Sequence, residues 1–269
     1  MIPLEDFFND IIGKAMRGLK LTDAQVAHSA GVEASAVEAL REGKWDAAVA
    51  RKIAPVLGLG ADALVGAGEK SWAPAPVALD GLAQFNTPYE DMTVNSYLVW
   101  DPASGEAAAF DTGADCSGML DLLAEKKLRL VRIFLTHTHG DHIFDLDRLK
   151  EKTGAPAVVG AGEPTEGATT FDPGTSFKVG GLSVESRLTW GHSKGGITFV
   201  VTGLAKPVAI VGDAVFAGSM GGGGVSYDAA LSTNKKEIMS LSGDTIICPG
   251  HGPLTTVGEQ KVHNPFFAP

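Results

Sequence analysis

The 269-residue sequence predicts an α/β fold, a layered sandwich of strands and helices that is preceded by a small all-α domain. Apolar residues recur at helical spacing in the first quarter of the chain, and short β-rich runs alternate with turn residues after it. Between the two lies the stretch GAGEKSWAPAPV, where glycine, alanine and proline are concentrated. We therefore expect a helical domain at residues 1–70, a linker at 71–76 and an α/β domain at 77–269.

The helical domain is predicted from three segments in which the apolar side chains share one helix face: residues 22–29, 33–42 and 46–57. Each segment is followed by a glycine, the residue that favours a helix end: Gly31, Gly43 and Gly58. The pattern is typical of a small helical bundle.

The α/β domain is predicted from six β-rich runs: TVNSYLVW, AAAF, VRIFLT, PAVVG, ITFVV and PVAIVG. One stretch between them, CSGMLDLLAEKKL, has helical spacing. A run of four glycines at Gly221–Gly224 predicts a turn beside a close approach of backbone.

Composition excludes several classes of protein. No apolar run approaches the roughly 20 residues of a membrane helix, and a net charge of −10 argues against nucleic acid as a partner. The N-terminal stretch lacks the basic and apolar pattern of a secretion signal, so we expect a cytoplasmic protein. Cys116 and Cys248 form neither a disulfide framework nor a CxxC pair, and we expect buried thiols.

A dense group of potential metal ligands follows the third β-rich run. The segment IFLTHTHGDH places His137, His139, Asp141 and His142 within six residues. Imidazole and carboxylate together suit zinc, iron or manganese, and this density argues against a merely solvated loop. The remaining ligand candidates each come where a strand or its following loop begins: His192, Asp213 and His251. The other two histidines, His28 and His263, are expected to be surface or packing residues.

The order HxHxDH, then His, Asp and His resembles the ligand series of the metallo-β-lactamase superfamily, and the resemblance covers residues 77–269. Within it the chain looks most like the glyoxalase II (hydroxyacylglutathione hydrolase) group, through THTHGDH, the GH of WGHSKGG, GDAVFAG and the tail CPGHGPLTTVGEQKVHNPFF. The resemblance implies a four-layer αββα sandwich.

The resemblance also implies a site for two divalent metal ions, zinc first, with iron and manganese as alternatives. His137, His139 and His192 would hold one ion, Asp141, His142 and His251 the other, and Asp213 would bridge them. A hydroxide between two such ions attacks a carbonyl carbon, and Asp141 or Asp213 would move the proton. This chemistry serves a small-molecule thioester or a lactone.

Three other functions remain open at this point. A lactonase would use the same ligands, a persulfide dioxygenase would use a single iron, and a regulator would use the helical domain to bind DNA. The absence of a secretion signal argues against a β-lactamase, and the chain has no room for the large extra domain of the superfamily's nucleases.

Two departures from the glyoxalase II pattern bear on the substrate. Ile143, Phe144 and Asp145 stand where relatives commonly have glycines after the DH pair, which gives that side an apolar wall. Only 18 residues follow His251, so the glutathione-gripping helical domain of the longer enzymes is not expected. A glutathione thioester is therefore one substrate among several.

Residues 18–66 resemble the helix-turn-helix of phage-repressor-like transcription factors, with 33–42 as the recognition helix. That helix carries Glu33, Glu38 and Glu42 where a major-groove reader shows basic or amide side chains. The segment holds five basic and six acidic residues, and a net negative charge opposes binding to the phosphate backbone of DNA. We expect no DNA binding, and a role in packing or homodimerisation instead.

Overall fold

Helices occupy the N-terminal part of the chain in the computed structural model, which describes residues 2–269. They are α1 (Phe8–Leu19), α2 (Asp23–Ala30), α3 (Ala34–Arg41), α4 (Ala47–Ile53), a 3-10 turn (Pro55–Leu57) and α5 (Ala61–Glu69). The Thr22 side chain begins α2 by accepting from the Gln25 amide, and Asp46 begins α4 in the same way. Gly31 and Gly58 end their helices, as the sequence predicted, and both adopt the left-handed conformation.

The helical core includes residues from both ends of the chain. Ile12, Leu40 and Leu64 are fully buried in it, and Phe266 joins the same cluster. The Gly60 amide donates to the Pro265 carbonyl at 2.7 Å. Residues 265–268 are thus part of the helical core.

Two six-stranded sheets follow the helices. The first sheet has the strands in chain order: β1 (Leu82–Tyr89), β2 (Met92–Trp100), β3 (Glu106–Phe110), β4 (Arg129–Leu135), β5 (Ala157–Gly160) and β6 (Ala168–Phe171). In the second sheet, too, strands that are consecutive in the chain lie side by side: β7 (Ser176–Val179), β8 (Leu182–Leu188), β9 (Ile197–Thr202), β10 (Val208–Gly212), β11 (Ile246–Pro249) and β12 (Thr255–Thr256). Strands β3 to β6 run parallel, as do β10 and β11.

The sheets pack face to face with helices outside. Phe110 and Phe134 of the first sheet contact Phe199 of the second, with ring centroids 5.6 and 4.9 Å from it. The outer face of the first sheet carries α6 (Ser117–Glu125) and α8 (Leu146–Thr153), and a short helix, α7 (Gly140–Ile143), precedes α8. The outer face of the second sheet packs against Ile238 and Met239, which follow α9 (Tyr227–Glu237), and against Val257, which begins α10 (Val257–His263). The predicted four-layer αββα sandwich with a helical region before it is confirmed.

The helical region packs on the second sheet's side of the sandwich. The Tyr227 ring lies so close to Gly18 of α1 that any Cβ there would fall 2.2 Å from it. Lys14 of α1 donates to the Met220 carbonyl at 2.9 Å and pairs with Asp6. The irregular segment between α5 and β1 contains the predicted linker at 71–76, whose boundaries stay a prediction.

Both cysteines are buried and free, as expected. Within residues 2–269, no helix combines the length and apolar character that a membrane span requires.

Candidate metal centre

The predicted ligands meet at one edge of the sandwich, where strands from both sheets end. His137 follows β4, and Asp141 and His142 lie on α7 directly after it. From the second sheet, Asp213 follows β10 and His251 follows β11. His192 lies in the loop between β8 and β9. The structure therefore brings all seven side chains together, although His137 and His251 are 114 positions apart in the sequence.

Four of the seven form a first group: His137, His139, His192 and Asp213. Each offers one donor atom, and these atoms lie within 4.8 Å of one another. His139 Nδ1 is 3.1 Å from His137 Nε2 and 3.1 Å from His192 Nε2. Three imidazoles and a carboxylate around one point form a donor set suited to a divalent transition metal.

Asp141, His142 and His251 form the second group, with the same 4.8 Å limit between donor atoms. Asp141 Oδ2 lies 3.3 Å from His251 Nε2 and 3.5 Å from His142 Nε2. Asp213 joins the two groups, because its Oδ2 is 3.4 Å from His192 Nε2 and 3.5 Å from His251 Nε2. Its position fits the bridging role that the resemblance implies.

Hydrogen bonds on the outer side of the rings fix which nitrogen faces inward. The Nδ1 of His251 donates to the Thr93 carbonyl at 2.7 Å, and the Nδ1 of His192 donates to the Gly222 carbonyl at 3.0 Å. A carbonyl can only accept, so each Nδ1 carries a proton and each Nε2 is left to bind a cation.

Asp111 plays the same part for two further histidines. Its Oδ2 accepts from His142 Nδ1 at 2.8 Å and from the Thr136 hydroxyl at 2.7 Å. Because the Thr136 proton is used in this way, its oxygen accepts from His137 Nδ1 at 3.0 Å. Asp111 is buried and adopts a left-handed backbone conformation, with φ 55°. One carboxylate thus orients one histidine of each group.

The electrostatics of the site favour a bound cation. Burial lowers the pKa of His137 well below its ordinary value, and burial lowers that of His192. Burial acts against charge on His142 too, but the carboxylates of Asp213 and Asp111 raise its pKa to about 10. Despite burial, the charges on His142 and His251 hold the pKa of Asp213 well below its usual range. The rings and carboxylates are therefore arranged around positive charge.

A metal ion also fits the buried atoms that the protein leaves without partners. His142 Nε2 and Asp213 Oδ1 are 3.3 Å apart, yet neither makes a hydrogen bond among residues 2–269. Both atoms are buried, and buried polar groups normally have partners. A cation between the rings and the carboxylates satisfies both atoms, so the donor set fits the ions that the resemblance implies.

Two glycines allow the loops to approach the centre. A Cβ at Gly250 would lie 2.1 Å from Asp213 Oδ1 and 2.6 Å from His142 Cε1. A Cβ at Gly221 would lie 1.9 Å from the Asp213 carbonyl oxygen. The prediction of a close backbone approach at Gly221–Gly224 therefore agrees with the contacts of this loop.

The centre opens to solvent at His139, which is exposed. Phe144 is 66% exposed and contacts the Tyr89 ring edge to face, with centroids 5.5 Å apart, while the apolar wall expected beside the site stays a prediction. On the side of His251, the N-terminal segment places the backbone of Glu5 3.3 Å from the Cβ position of Gly252. Burial raises the pKa of Glu5, while the charge of His251 opposes that rise.

Sequence reasoning missed the supporting residues of the site. Asp111 follows β3 in AAAFDTG, and a carboxylate directly after an apolar strand is a signal that could have marked it. Glu163 accepts from the Thr138 hydroxyl at 2.7 Å and the Gly195 amide at 2.9 Å, and so ties together the two loops that carry His139 and His192. No local pattern marks Glu163.

Comparison with known proteins supports this description. The sequence model of the Metallo-beta-lactamase superfamily matches residues 89–251. The protein named hydroxyacylglutathione hydrolase GloC of Haemophilus influenzae is 29% identical over 199 residues, which are 64% of this chain and 92% of the relative.

Solved structures share the sandwich. BLEG-1 B3 metallo-beta-lactamase superposes with a TM-score of 0.58 and 25% identity over 70% of this chain and 100% of its own. ETHE1 from Myxococcus xanthus gives a TM-score of 0.60 and 25% identity over 68% of this chain and 83% of its own. The residues matched by the superfamily sequence model, 89–251, include all seven predicted ligands.

Proposed function

Because the chain belongs to the metallo-β-lactamase superfamily, we propose that it is a binuclear metal-dependent hydrolase that attacks a carbonyl carbon, with a thioester as substrate. The observation that carries the proposal is the second ligand group, Asp141, His142 and His251, which is complete and joined to the first by Asp213. A thioester is favoured because one relative, which the chain matches over 92% of that relative's length, bears the name hydroxyacylglutathione hydrolase.

In this proposal, zinc is the first choice of metal, and iron or manganese suit the same donors. Two such ions supply Lewis acidity and a water of lowered pKa. The protein supplies their positions through His137, His139 and His192 on one side and His142 and His251 on the other.

Two carboxylates have roles beyond holding the ions. Asp213 is buried and faces both groups, so it would help to hold both ions. The Asp141 side chain is 13% exposed, and although burial acts to raise its pKa, the hydrogen bond with His251 and the charges on His142 and His251 together lower it. An ionised carboxylate at the edge of the site accepts the proton that the attack releases.

The alternatives differ in what they need from the second group. A lactonase uses the same residues, and only the leaving group separates it from a thioesterase. A persulfide dioxygenase needs one redox-active iron with open positions, and a second set of ligands beside it has no role. The complete second group therefore favours hydrolysis.

The test compares protein loaded separately with zinc, manganese and iron. Each form is assayed for hydrolysis of lactoylglutathione and of a lactone, and for oxygen uptake with glutathione persulfide. We expect hydrolysis without oxygen consumption. Oxygen uptake by a singly occupied iron form would refute the assignment.

A variant pair links the activity to the second ligand group. Asp141→Ala should lower both the occupancy of the second ion and the rate. Asp147→Ala serves as the matched control, because Asp147 is an exposed acid on α8 outside both ligand groups. Equal rates and equal ion content in the two variants would contradict the proposal.

A further inference from the structure

A cavity of about 600 Å³ lies between the helical region and the sandwich. Its walls come mainly from the N-terminal segment with Phe7, helix α5 with Ala67, the following segment with Trp72, and helix α10 with Val262, and parts of α1 and of the loop after β10 complete them. None of the seven predicted metal ligands lines it. Its volume falls within the range of about 300–1,000 Å³ that is usual for small-molecule sites.

The cavity exposes apolar surface that the fold itself does not use. Phe7 is 58% exposed and Val262 is 60% exposed, and both line the cavity. Trp72 stacks on His263 with ring centroids 4.7 Å apart, which holds a flat aromatic surface at the wall. Exposed large apolar side chains grouped in one concave place mark a binding site.

The charged groups at the cavity leave one uncompensated cation. Asp62 pairs with Arg51 at 2.6 Å, and Asp6 pairs with Lys14 and accepts from the Ser219 hydroxyl at 2.5 Å. Lys70 makes no ion pair within residues 2–269, and its ammonium lies 5.3 Å from the centroid of the Phe7 ring. Basic side chains that do not line the cavity thus pair with its two acids, while Lys70, beside the apolar wall, has no acidic partner within residues 2–269.

We propose that this cavity binds a small amphipathic anion, with its carboxylate on Lys70 and its apolar chain between Phe7, Trp72 and Val262. The charge complementarity selects an anion over a neutral or cationic molecule, and the exposed aromatic and aliphatic side chains take up its chain. The site is separate from the metal centre, and it does not depend on the substrate proposed there.

The test titrates the full-length protein with sodium decanoate, below its micelle concentration, by calorimetry and by tryptophan fluorescence. We expect saturable binding of one decanoate per chain. Trp72→Phe should remove most of the fluorescence change while binding persists. The uncharged 1-decanol should bind at least about fivefold more weakly, in line with an ion pair of about 1 kcal/mol.

Two variants locate the ligand. Ala67→Trp fills the cavity and should weaken binding more than about tenfold, whereas Lys70→Gln should weaken it about three- to tenfold. Lys20→Gln is the matched control for Lys70→Gln, because both lysines end a helix in the left-handed conformation and Lys20 does not line the cavity. Lys20→Gln should leave decanoate binding unchanged.

Several results would overturn the proposal. They are absence of saturable binding, equal binding of decanoate and decanol, or equal effects of Lys70→Gln and Lys20→Gln. A dimer in sedimentation that Ala67→Trp dissociates would assign the cavity to a second copy of the chain instead. If Ala67→Trp melts far below the parent protein, the two lysine variants decide the matter.

Discussion

Replacement of Asp111 with asparagine tests how outer hydrogen bonds orient the predicted metal-binding histidines. The amide nitrogen of the introduced asparagine would face His142 Nδ1 where a carboxylate oxygen now accepts at 2.8 Å. His142 would have to accept there, and its proton would move to the Nε2 that faces Asp213. The Thr136 hydroxyl would be free to donate to His137 Nδ1, so the proton of that ring would also move from Nδ1 to Nε2. One substitution thus weakens both ligand groups.

The size of the effect follows from the bonds involved. A hydrogen bond to a charged group contributes about 1.5–3 kcal/mol, and every 1.4 kcal/mol is about tenfold in an equilibrium constant. Loss of an outer partner of a metal ligand costs about 10- to 100-fold in metal affinity. The two routes agree, so we expect zinc to bind Asp111→Asn about 10- to 100-fold more weakly. Asparagine tolerates the left-handed backbone of this position, so the fold should persist.

The assay is competition for zinc against a chromophoric chelator, with melting of the metal-free protein and turnover at saturating zinc as companion readouts. Asp101→Asn is the control, because Asp101 accepts backbone amides, from Ala103 at 3.0 Å and Gly181 at 2.9 Å, as Asp111 does from Thr136 at 2.7 Å, but contacts no histidine. We expect Asp101→Asn to keep full zinc affinity, and Asp111→Asn to recover turnover as zinc is raised. Zinc affinity in Asp111→Asn within about twofold of the parent protein would refute the reasoning.

Three other predictions follow from the same structure. Purified protein should carry close to two transition-metal ions per chain by elemental analysis. His137→Ala or Asp213→Ala should abolish turnover without unfolding the protein. Full activity in an ion-free preparation would exclude a metal-dependent reaction. Gly250→Ala should lower metal affinity by more than about tenfold, because the new Cβ would fall 2.1 Å from a carboxylate oxygen of Asp213, whereas Gly243→Ala meets nothing closer than 3.8 Å and should bind normally. The helical region should show no salt-sensitive affinity for duplex DNA, and sequence-specific gel retardation at moderate salt would contradict that expectation.

The charge pattern of the helical region supports the DNA prediction. Arg41, the basic residue of the predicted recognition helix, pairs with Asp23 of the preceding helix at 2.9 Å. Glu38 is exposed on the same helix. The arrangement offers little to a phosphate backbone, and the helix-turn-helix resemblance of residues 18–66 stays a prediction about shape alone.

The metal centre could be anticipated because its densest part is local in sequence. His137, His139, Asp141 and His142 follow one strand within six residues, so their proximity needs no knowledge of the fold. The three more distant candidates could be placed only through their order along the chain and the resemblance that this order carries. Their use as metal ligands stays a prediction until ions are measured.

The supporting contacts could not be anticipated, because they join distant parts of the chain. Asp111 reaches Thr136 across 25 positions and His142 across 31. Helix α1 was also missed. Gly13 and Gly18 lower its intrinsic helix propensity, and Gly18 is needed only because Tyr227 packs against it.

Strands were missed for a related reason. β1 contains Pro88 and lies at the sheet edge, and β6 and β7 have several exposed side chains, so none of them shows the continuous apolar run of a buried strand. The strands that carry ligands, β4, β10 and β11, are mostly buried, and two of these three, β4 and β10, were predicted. Burial on both faces made β4 and β10 visible in the sequence, but it was not enough for β11, which was missed although all four of its residues are buried.

The contribution of residues 265–268 to the helical core affects how the chain is made. The ribosome releases the helices first, at about 5–20 residues per second, but Phe266 and the carbonyl that receives the Gly60 amide emerge some 200 positions later. Until then the bundle has an open apolar seam and an unpaired amide. Synthesis therefore delays the closing of the helical region until residues 265–268 have been made, and a nascent chain should be most vulnerable to proteases and most attractive to chaperones at that seam.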